Sequence, residues 1–199
     1  MKKALLIVDV QNDFLPGGAL PVKDGDQIIP VINALQEQFD LVVATKDWHP
    51  LHHESFAVEH GQEPGEIIEY RGLKQELWPV HCVQESPGAE FSSQLETAKI
   101  AKVFLKGTDP EIDSYSSFFD NAHRRSTGLA DYLRKHHIDE LCIVGLATDY
   151  CVKFSVFDAI ELGFSVTVAL SGCRGIDLRP GDVDKAIEEM RSAGAKVIP

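Results

Sequence analysis

The feature that most constrains the fold is a regular alternation of short apolar runs with amphipathic segments. Six apolar runs occur, at residues 5–9, 40–45, 101–106, 141–145, 165–169 and 196–198. Runs that are apolar on both faces are typical of buried parallel strands. Helical spacing of apolar residues occurs between them, at 26–38, 128–136, 148–162 and 182–193. The alternation predicts an α/β fold with three doubly wound layers, in which helices cover both faces of a mostly parallel six-stranded sheet.

Length and charge narrow the function classes. A chain of 199 residues suits one domain, which we expect to span residues 1–199. The formal net charge of −12 disfavours nucleic acid and anionic membranes as partners and favours a neutral small-molecule substrate. The apolar run near the N-terminus ends at Asp9, too early for a signal peptide or a membrane span. We therefore expect a cytoplasmic protein.

The cysteines do not form a disulfide framework. The chain has four, at irregular spacing and with no CxxC pair: Cys82, Cys142, Cys151 and Cys173. Each is expected to be either a small buried residue or a reactive thiol, and we take all but Cys151 as structural.

Polar residues lie where the predicted strands end. Asp9 closes the first strand, Asp47 follows the second, Lys106 closes the third, and Cys151 lies in the first turn of the helix after the fourth. Ligands of open α/β sheets bind outside the carboxyl ends of the strands. Four separate segments are therefore expected to deliver these side chains to one edge of the sheet.

This set of residue types indicates nucleophilic catalysis. A thiol in a first helical turn, capped by Thr148 or Asp149, is expected to have a lowered pKa. Lys106 can hold Asp9 ionised, so that Asp9 accepts the thiol proton and later donates it to a leaving amine. The plain alternatives are a buried packing cysteine and a salt bridge at the strand ends.

A second cluster indicates a metal site. Asp47, His49, His53 and His81 lie in or next to a long irregular segment at 48–93. Carboxylate and imidazole are ligands for borderline divalent cations. Spacing alone is not specific, because the chain has eight histidines and a loop cluster can arise without a metal.

Together these segments resemble the nicotinamidase (pyrazinamidase) group of the cysteine hydrolases in the isochorismatase-like superfamily. The resemblance covers nearly the whole chain and lies in LIVDVQNDF at 6–14, GGAL at 17–20, TKDWHP at 45–50, WPVHC at 78–82, KG at 106–107, DSYSSF at 113–118 and GLATDYCV at 145–152. The first and last segments mark the superfamily. The Asp-x-His and Trp-Pro-x-His segments are specific to the nicotinamidase group.

The resemblance implies a role for each matching residue. It makes Cys151 the nucleophile, Asp9 the proton acceptor and donor, and Lys106 their partner. A cis peptide bond before Ala147 is implied, so that the Ala147 and Cys151 N–H groups form an oxyanion hole. The implied metal ligands are Asp47, His49 and His81, with His53 as a further ligand or a water-linked neighbour. The residues implied to contact the substrate ring are Phe14 and Trp78, with Leu20 and Tyr115 as weaker candidates.

The resemblance also implies the reaction. We expect hydrolysis of nicotinamide, and of pyrazinamide as well, through a thioester, with one divalent metal ion that is zinc first and manganese or iron otherwise. The alternatives are another superfamily hydrolase acting on a carbamoyl amide or isochorismate, and a non-catalytic metal-binding protein of the same fold. The superfamily often self-associates, so a homo-oligomer stays open.

Overall fold

The central feature of the computed structural model, which describes residues 2–199, is a parallel sheet. Its six strands are β1 Lys2–Val8, β2 Leu41–Asp47, β5 Ile100–Lys106, β6 Ile138–Leu146, β7 Ser165–Arg174 and β8 Lys196–Ile198. Across the sheet they follow the order β5-β2-β1-β6-β7-β8, and every neighbouring pair is parallel. All six predicted strands are present, and the predicted fold class is confirmed.

Four helices connect the sheet strands, and each contains the core of a predicted helix. They are α1 Ile28–Leu35, α2 Leu129–Lys135, α3 Lys153–Glu161 and α4 Asp182–Ser192. From β1 the chain adds β2 and β5 on one side and later β6, β7 and β8 on the other, so the strand order reverses between β1 and β6. With the right-handed crossovers that parallel strands nearly always have, this order puts α1 on one face of the sheet and α2 to α4 on the other. Such a reversal opens a crevice at the carboxyl ends of β1 and β6.

The expectation that 48–93 is irregular is wrong in one part. Ile67–Tyr70 and Leu73–Glu76 form an antiparallel hairpin of two strands, β3 and β4. Arg71 and Gly72 form its turn with φ values of +51° and +80°, which matches the two-residue turns that suit hairpin twist. The hairpin was not predicted because its strands are short and rich in charged residues, whereas buried strands show apolar runs.

The core lies against β1 and β6. The last five residues of β1 are fully buried, as are Ile143 and Val144 of β6. Burial on both faces explains why these runs lack the alternation of a half-exposed strand. Within residues 2–199, none of the helices is both long and apolar enough to cross a bilayer.

Candidate active site

The structure brings Asp9, Lys106 and Cys151 together at the carboxyl edge of the sheet. Lys106 Nζ lies 2.8 Å from Asp9 Oδ2 and 3.3 Å from Cys151 Sγ, and it donates to the Ser114 carbonyl at 2.9 Å. An oxygen of Asp9 and the Cys151 sulfur lie within 4.8 Å of each other. Lys106 also pairs with Asp47, a contact that the sequence did not predict. One buried ammonium group therefore links the cysteine cluster to the predicted metal cluster.

The ends of β1 and β6 position the acid and the thiol. Asp9 follows β1 with φ +49°, which turns its side chain out of the strand direction. Cys151 lies in a single π-helical turn, Thr148–Val152, between β6 and α3. Gly145 allows β6 to pass close to β1, because its φ is +122° and an added Cβ would collide with the backbone of Val8.

Burial and pairing set the charges of the two carboxylates and the lysine. Burial disfavours charge on Lys106, but Asp47 and Asp9 outweigh it and raise the pKa of Lys106 well above its usual value. Burial would raise the pKa of Asp47, yet Lys106 holds the pKa of this carboxyl well below its usual range. For Asp9 burial wins over Lys106, and with repulsion from Asp47 it raises the pKa to about 6. Asp9 is therefore ionised at neutral pH, close to the range in which it can exchange a proton.

The expectation of a lowered thiol pKa is wrong for Cys151. Burial raises the pKa of this thiol well above its usual value, and Lys106 offsets only part of the effect. No side chain caps the turn, and Asp149 instead accepts from the N–H groups of Ile176 and Asp177 at 2.9 and 2.8 Å. Cys151 is only 6% exposed, so the loss of hydration dominates. Cys151 is thus a neutral thiol that needs a nearby base.

The peptide bond between Leu146 and Ala147 is cis, as the resemblance implied. Ala147 and Cys151 line the same cleft.

Asp47, His49 and His81 converge on one point. The Nε2 atoms of His49 and His81 lie 3.7 and 3.8 Å from Asp47 Oδ2. The Nδ1 atoms of these two histidines lie 3.0 and 2.8 Å from the carbonyls of Gly107 and Pro79, to which they donate. Each Nε2 is therefore directed toward Asp47, and that of His49 is buried without a hydrogen-bond partner among the described residues. Burial disfavours charge on His49, but Asp47 outweighs it and raises the pKa of this ring, which is the effect expected of a negative charge that no metal ion balances. Such a donor set fits a divalent cation such as zinc.

His53 is oriented differently from the other two histidines. Its Nδ1 accepts from the Ser55 N–H at 3.1 Å and lies 2.8 Å from the Ser55 hydroxyl. Burial and the neighbouring His49 lower the pKa of His53 to about 4, so the ring is neutral at pH 7. The Nε2 atom of His53, like that of His49, is buried without a hydrogen-bond partner among the described residues, and ligand atoms of His49, His53 and Asp113 lie within 4.8 Å of one another.

Two residues of the first motif support the cluster and were not predicted as site residues. The side-chain amide of Gln11 donates to the Asp47 carbonyl and accepts from its N–H, both at 2.8 Å. Asp13 accepts from the Cys82 N–H at 2.7 Å and so fixes the segment that carries His81. Their positions in LIVDVQNDF, next to Asp9, were the signal available in the sequence.

A narrow cleft beside the cysteine collects the predicted aromatic residues. Its lining includes the predicted Phe14, Leu20, Trp78 and Tyr115, together with Asp47, His81, Ala147 and Cys151. It also includes three residues that were not predicted as site residues, Asp113, Tyr150 and Ile176. The first two lie in the quoted motifs DSYSSF and GLATDYCV, whereas Ile176 reaches the cleft from the loop after β7, where no motif marks it.

The remaining cysteines lie outside this cluster. Cys82, Cys142 and Cys173 are buried and free, and burial raises the pKa of each thiol, to about 11 for Cys142 and about 12 for Cys173. None of the three is among the residues that line the cleft, which separates them from Cys151.

Comparison with known proteins places the chain in a class. The model of the isochorismatase domain family matches residues 3–199, and the chain belongs to that family. A nicotinamidase of Escherichia coli is 52% identical over 197 residues, covering 97% of this chain and 92% of the relative.

Solved structures agree with this assignment. A yeast nicotinamidase bound to the inhibitor nicotinaldehyde has a TM-score of 0.93 at 36% identity, covering 98% of this chain and 99% of its own. A pyrazinamidase of Pyrococcus horikoshii in complex with zinc has a TM-score of 0.81 at 39% identity, covering 100% of this chain and 99% of its own. The family resemblance inferred from the motifs is confirmed.

Proposed function

We propose that this chain, as one hydrolase domain over residues 1–199, converts nicotinamide to nicotinic acid and ammonia, and accepts pyrazinamide as well. The observation that carries the proposal is the placement of the Asp9, Lys106 and Cys151 cluster, which meets an aromatic cleft beside Asp47, His49 and His81. The nicotinamidase names of its relatives support the same substrate. A flat, neutral amide also suits a chain with net charge −12.

The first half of the reaction forms a thioester. The Cys151 sulfur attacks the carboxamide carbon while the thiol proton moves to Asp9, because a thiol with a raised pKa does not lose its proton beforehand. The carbonyl π electrons move to oxygen, and the N–H groups of Ala147 and Cys151 stabilise that oxyanion. Such donors typically contribute about 3 kcal/mol each. The C–N bond then breaks, and Asp9 gives its proton to the departing ammonia.

The second half restores the thiol. Asp9 takes a proton from a water molecule, and the water oxygen attacks the thioester carbon. The C–S bond breaks, the sulfur regains a proton from Asp9, and nicotinic acid leaves and loses its remaining carboxyl proton to solvent. Lys106 keeps its own proton throughout, since its pKa is held well above the working range, and it favours the ionised form of Asp9 between the two proton transfers.

The aromatic residues and the metal cluster orient the ring. Phe14 and Trp78, with Leu20 and Tyr115 beside them, hold the pyridine plane so that the carboxamide faces Cys151. Asp47, His49 and His81 would hold a divalent metal ion, zinc first and manganese or iron otherwise, which would supply a Lewis acid for the ring nitrogen. His53 would lie next to that ion as a further ligand or as a water-linked neighbour.

The test is ammonia release from nicotinamide by the wild type, by Cys151→Ala, and by Cys142→Ala as a matched control with a buried cysteine remote from the cluster. We expect activity in the wild type and the control, none in Cys151→Ala, loss on chelator treatment and recovery with zinc. A metal-replete wild type that releases no ammonia would overturn the proposal and direct attention to isochorismate and carbamoyl amides. Full activity in Cys151→Ala would overturn the mechanism.

A further inference from the structure

Three aromatic rings form the outer wall of the cleft. The ring centroids of Trp78 and Tyr150 are 4.8 Å apart at 86°, and those of Tyr115 and Tyr150 are 5.5 Å apart at 65°. Trp78 Nε1 also donates to the Tyr115 hydroxyl at 3.0 Å. Tyr150 directly precedes Cys151 in the π-helical turn, so the position of its ring determines how closely this wall approaches the nucleophile.

Glu76 contacts Tyr150 of this wall from the side that faces away from Cys151 and the catalytic cleft. The Tyr150 hydroxyl donates to Glu76 Oε2 at 2.5 Å, and Arg179 Nη2 donates to Glu76 Oε1 at 2.9 Å. The Glu76 side chain is only 12% exposed, whereas that of Arg179 is 52% exposed. Glu76 faces a neighbouring cleft that shares Tyr115 and Tyr150 with the catalytic one, so it supports the wall without lining the substrate space.

The three groups come from three separate segments of the chain. Glu76 ends β4, two residues before Trp78, while Tyr150 belongs to the turn that carries Cys151. Arg179 lies in the loop between β7 and α4. One carboxylate therefore ties the hairpin to the nucleophile turn and to that loop. A hydrogen bond to a charged acceptor is stronger and more directional than one between neutral groups.

We propose that Glu76 is a positioning residue that sets the affinity for the aromatic ring of the substrate by fixing Tyr150 against Trp78. This role rests on the proposed function, since the ring in question is that of nicotinamide. Because the wall contacts the ring equally before and during reaction at the carboxamide, its loss weakens binding without slowing the chemical step. Tyr150→Phe removes the hydroxyl donor, and Glu76→Gln exchanges the charged acceptor for a neutral one, while both preserve side-chain size.

The experiment measures KM and kcat for nicotinamide in Glu76→Gln, Tyr150→Phe and the double variant. The matched control is Glu111→Gln, which alters a glutamate paired to Arg71 at 2.7 Å on the surface. We expect KM to rise about tenfold in Tyr150→Phe, which is the range for a hydrogen bond to a charged group, and about fivefold in Glu76→Gln, which keeps a neutral acceptor, with kcat within about twofold in both. The double variant is expected to match Tyr150→Phe, because residue 76 no longer acts on the ring at position 150 once the hydroxyl is absent. The control is expected to match the wild type.

A second readout needs no substrate. Trp48 and Trp78 are the two tryptophans of the chain, so a Trp48→Phe background reports on Trp78 alone. Glu76→Gln in this background is expected to increase quenching of Trp78 fluorescence by acrylamide, because Trp78 is only 4% exposed while Tyr150 packs against it. Wild type that fails to hydrolyse nicotinamide would overturn the proposed function, while the quenching result would still test the contact.

The positioning role is overturned by unchanged KM and unchanged quenching in Glu76→Gln. It is also overturned by effects of the two single variants that add in the double variant, or by a fall in kcat with KM unchanged.

Discussion

Lys106→Met removes the ammonium group that lies between Asp9, Asp47 and Cys151. The side chain is fully buried, and its nitrogen pairs with both carboxylates. Breaking a buried ion pair by removing one partner typically costs about 3–5 kcal/mol, because the remaining charge is left without compensation. For a chain of this size, each kcal/mol lowers the midpoint of thermal unfolding by about 2–4 °C, so the fall is expected to be between about 6 and 20 °C.

The deficit is expected to depend on pH, and its sign follows from Asp9. The pKa of Asp9 is already raised to about 6 in the folded protein, and loss of Lys106 raises it further. A raised folded pKa contributes stability that is present at low pH and lost as pH rises through that value. The difference between Lys106→Met and wild type is therefore expected to be largest at pH 8 and smaller at pH 5.5. Asp9→Asn combined with Lys106→Met is expected to recover part of the loss at pH 8.

The assay is thermal unfolding followed by circular dichroism, with a chelator present so that no metal ion compensates Asp47. Lys46→Met is the matched control: it is a buried lysine whose partner, Glu90, is 56% exposed, so we expect a change of about 1 kcal/mol or less. Equal deficits at pH 8 and pH 5.5, or a double variant as unstable as Lys106→Met, would refute the reasoning.

Three further predictions concern the proton acceptor, the metal cluster and the close approach of β6 to β1 at Gly145. The kcat/KM for nicotinamide is expected to fall about tenfold per pH unit below about pH 6 as Asp9 is protonated, and Thr45→Val, which removes a 2.7 Å donor to Asp9, is expected to move this limb to higher pH. Zinc affinity, measured by competition with a chromogenic chelator, is expected to fall at least about tenfold in His49→Ala. Gly145→Ala is expected to lower the free energy of unfolding in urea by about 2 kcal/mol or more, because the residue has a positive φ and its new Cβ collides with β1. Gly163→Ala is expected to lower it less, because this residue also has a positive φ but has open space around it.

Each of these predictions has a contrary result. A flat profile of kcat/KM down to pH 5 would show that Asp9 is not the proton acceptor. Unchanged zinc affinity in His49→Ala would place the metal elsewhere. Equal losses in Gly145→Ala and Gly163→Ala would show that the close approach of β6 to β1 does not constrain the residue at 145.

Much of the fold could be predicted because the strands of this sheet are buried on both faces. Their apolar runs stand out from the charged segments around them, and the helices show clear spacing of apolar residues. The hairpin of β3 and β4 lacks that signal, since residues such as Glu69 and Lys74 face solvent. Its turn at Arg71 and Gly72 is a local indication of a hairpin, but a two-residue signal is weak when half of the flanking strand residues are charged or carry an amide.

The site residues that could be predicted from the sequence are those whose position is set by the end of a strand. Asp9, Asp47, Lys106 and Cys151 each end a strand or follow one closely, and parallel strands bring their carboxyl ends to one edge. Which of these groups pair, and how far each is desolvated, depends on distances across the sheet. The contact of Lys106 with Asp47 could therefore not be predicted from the sequence. The raised pKa of Cys151 could not be predicted either, because it reflects burial of the thiol and not its position in a helix.

The most direct test of the central claim is the detection of a covalent intermediate. Wild type is mixed with nicotinamide, quenched with acid within the first turnovers and digested, and the peptides are measured by mass spectrometry. We expect one nicotinoyl group in thioester linkage on the peptide containing Cys151, and none on the peptides containing Cys82, Cys142 or Cys173. Steady ammonia release with no acylated Cys151, or with acylation of another residue, would contradict the account.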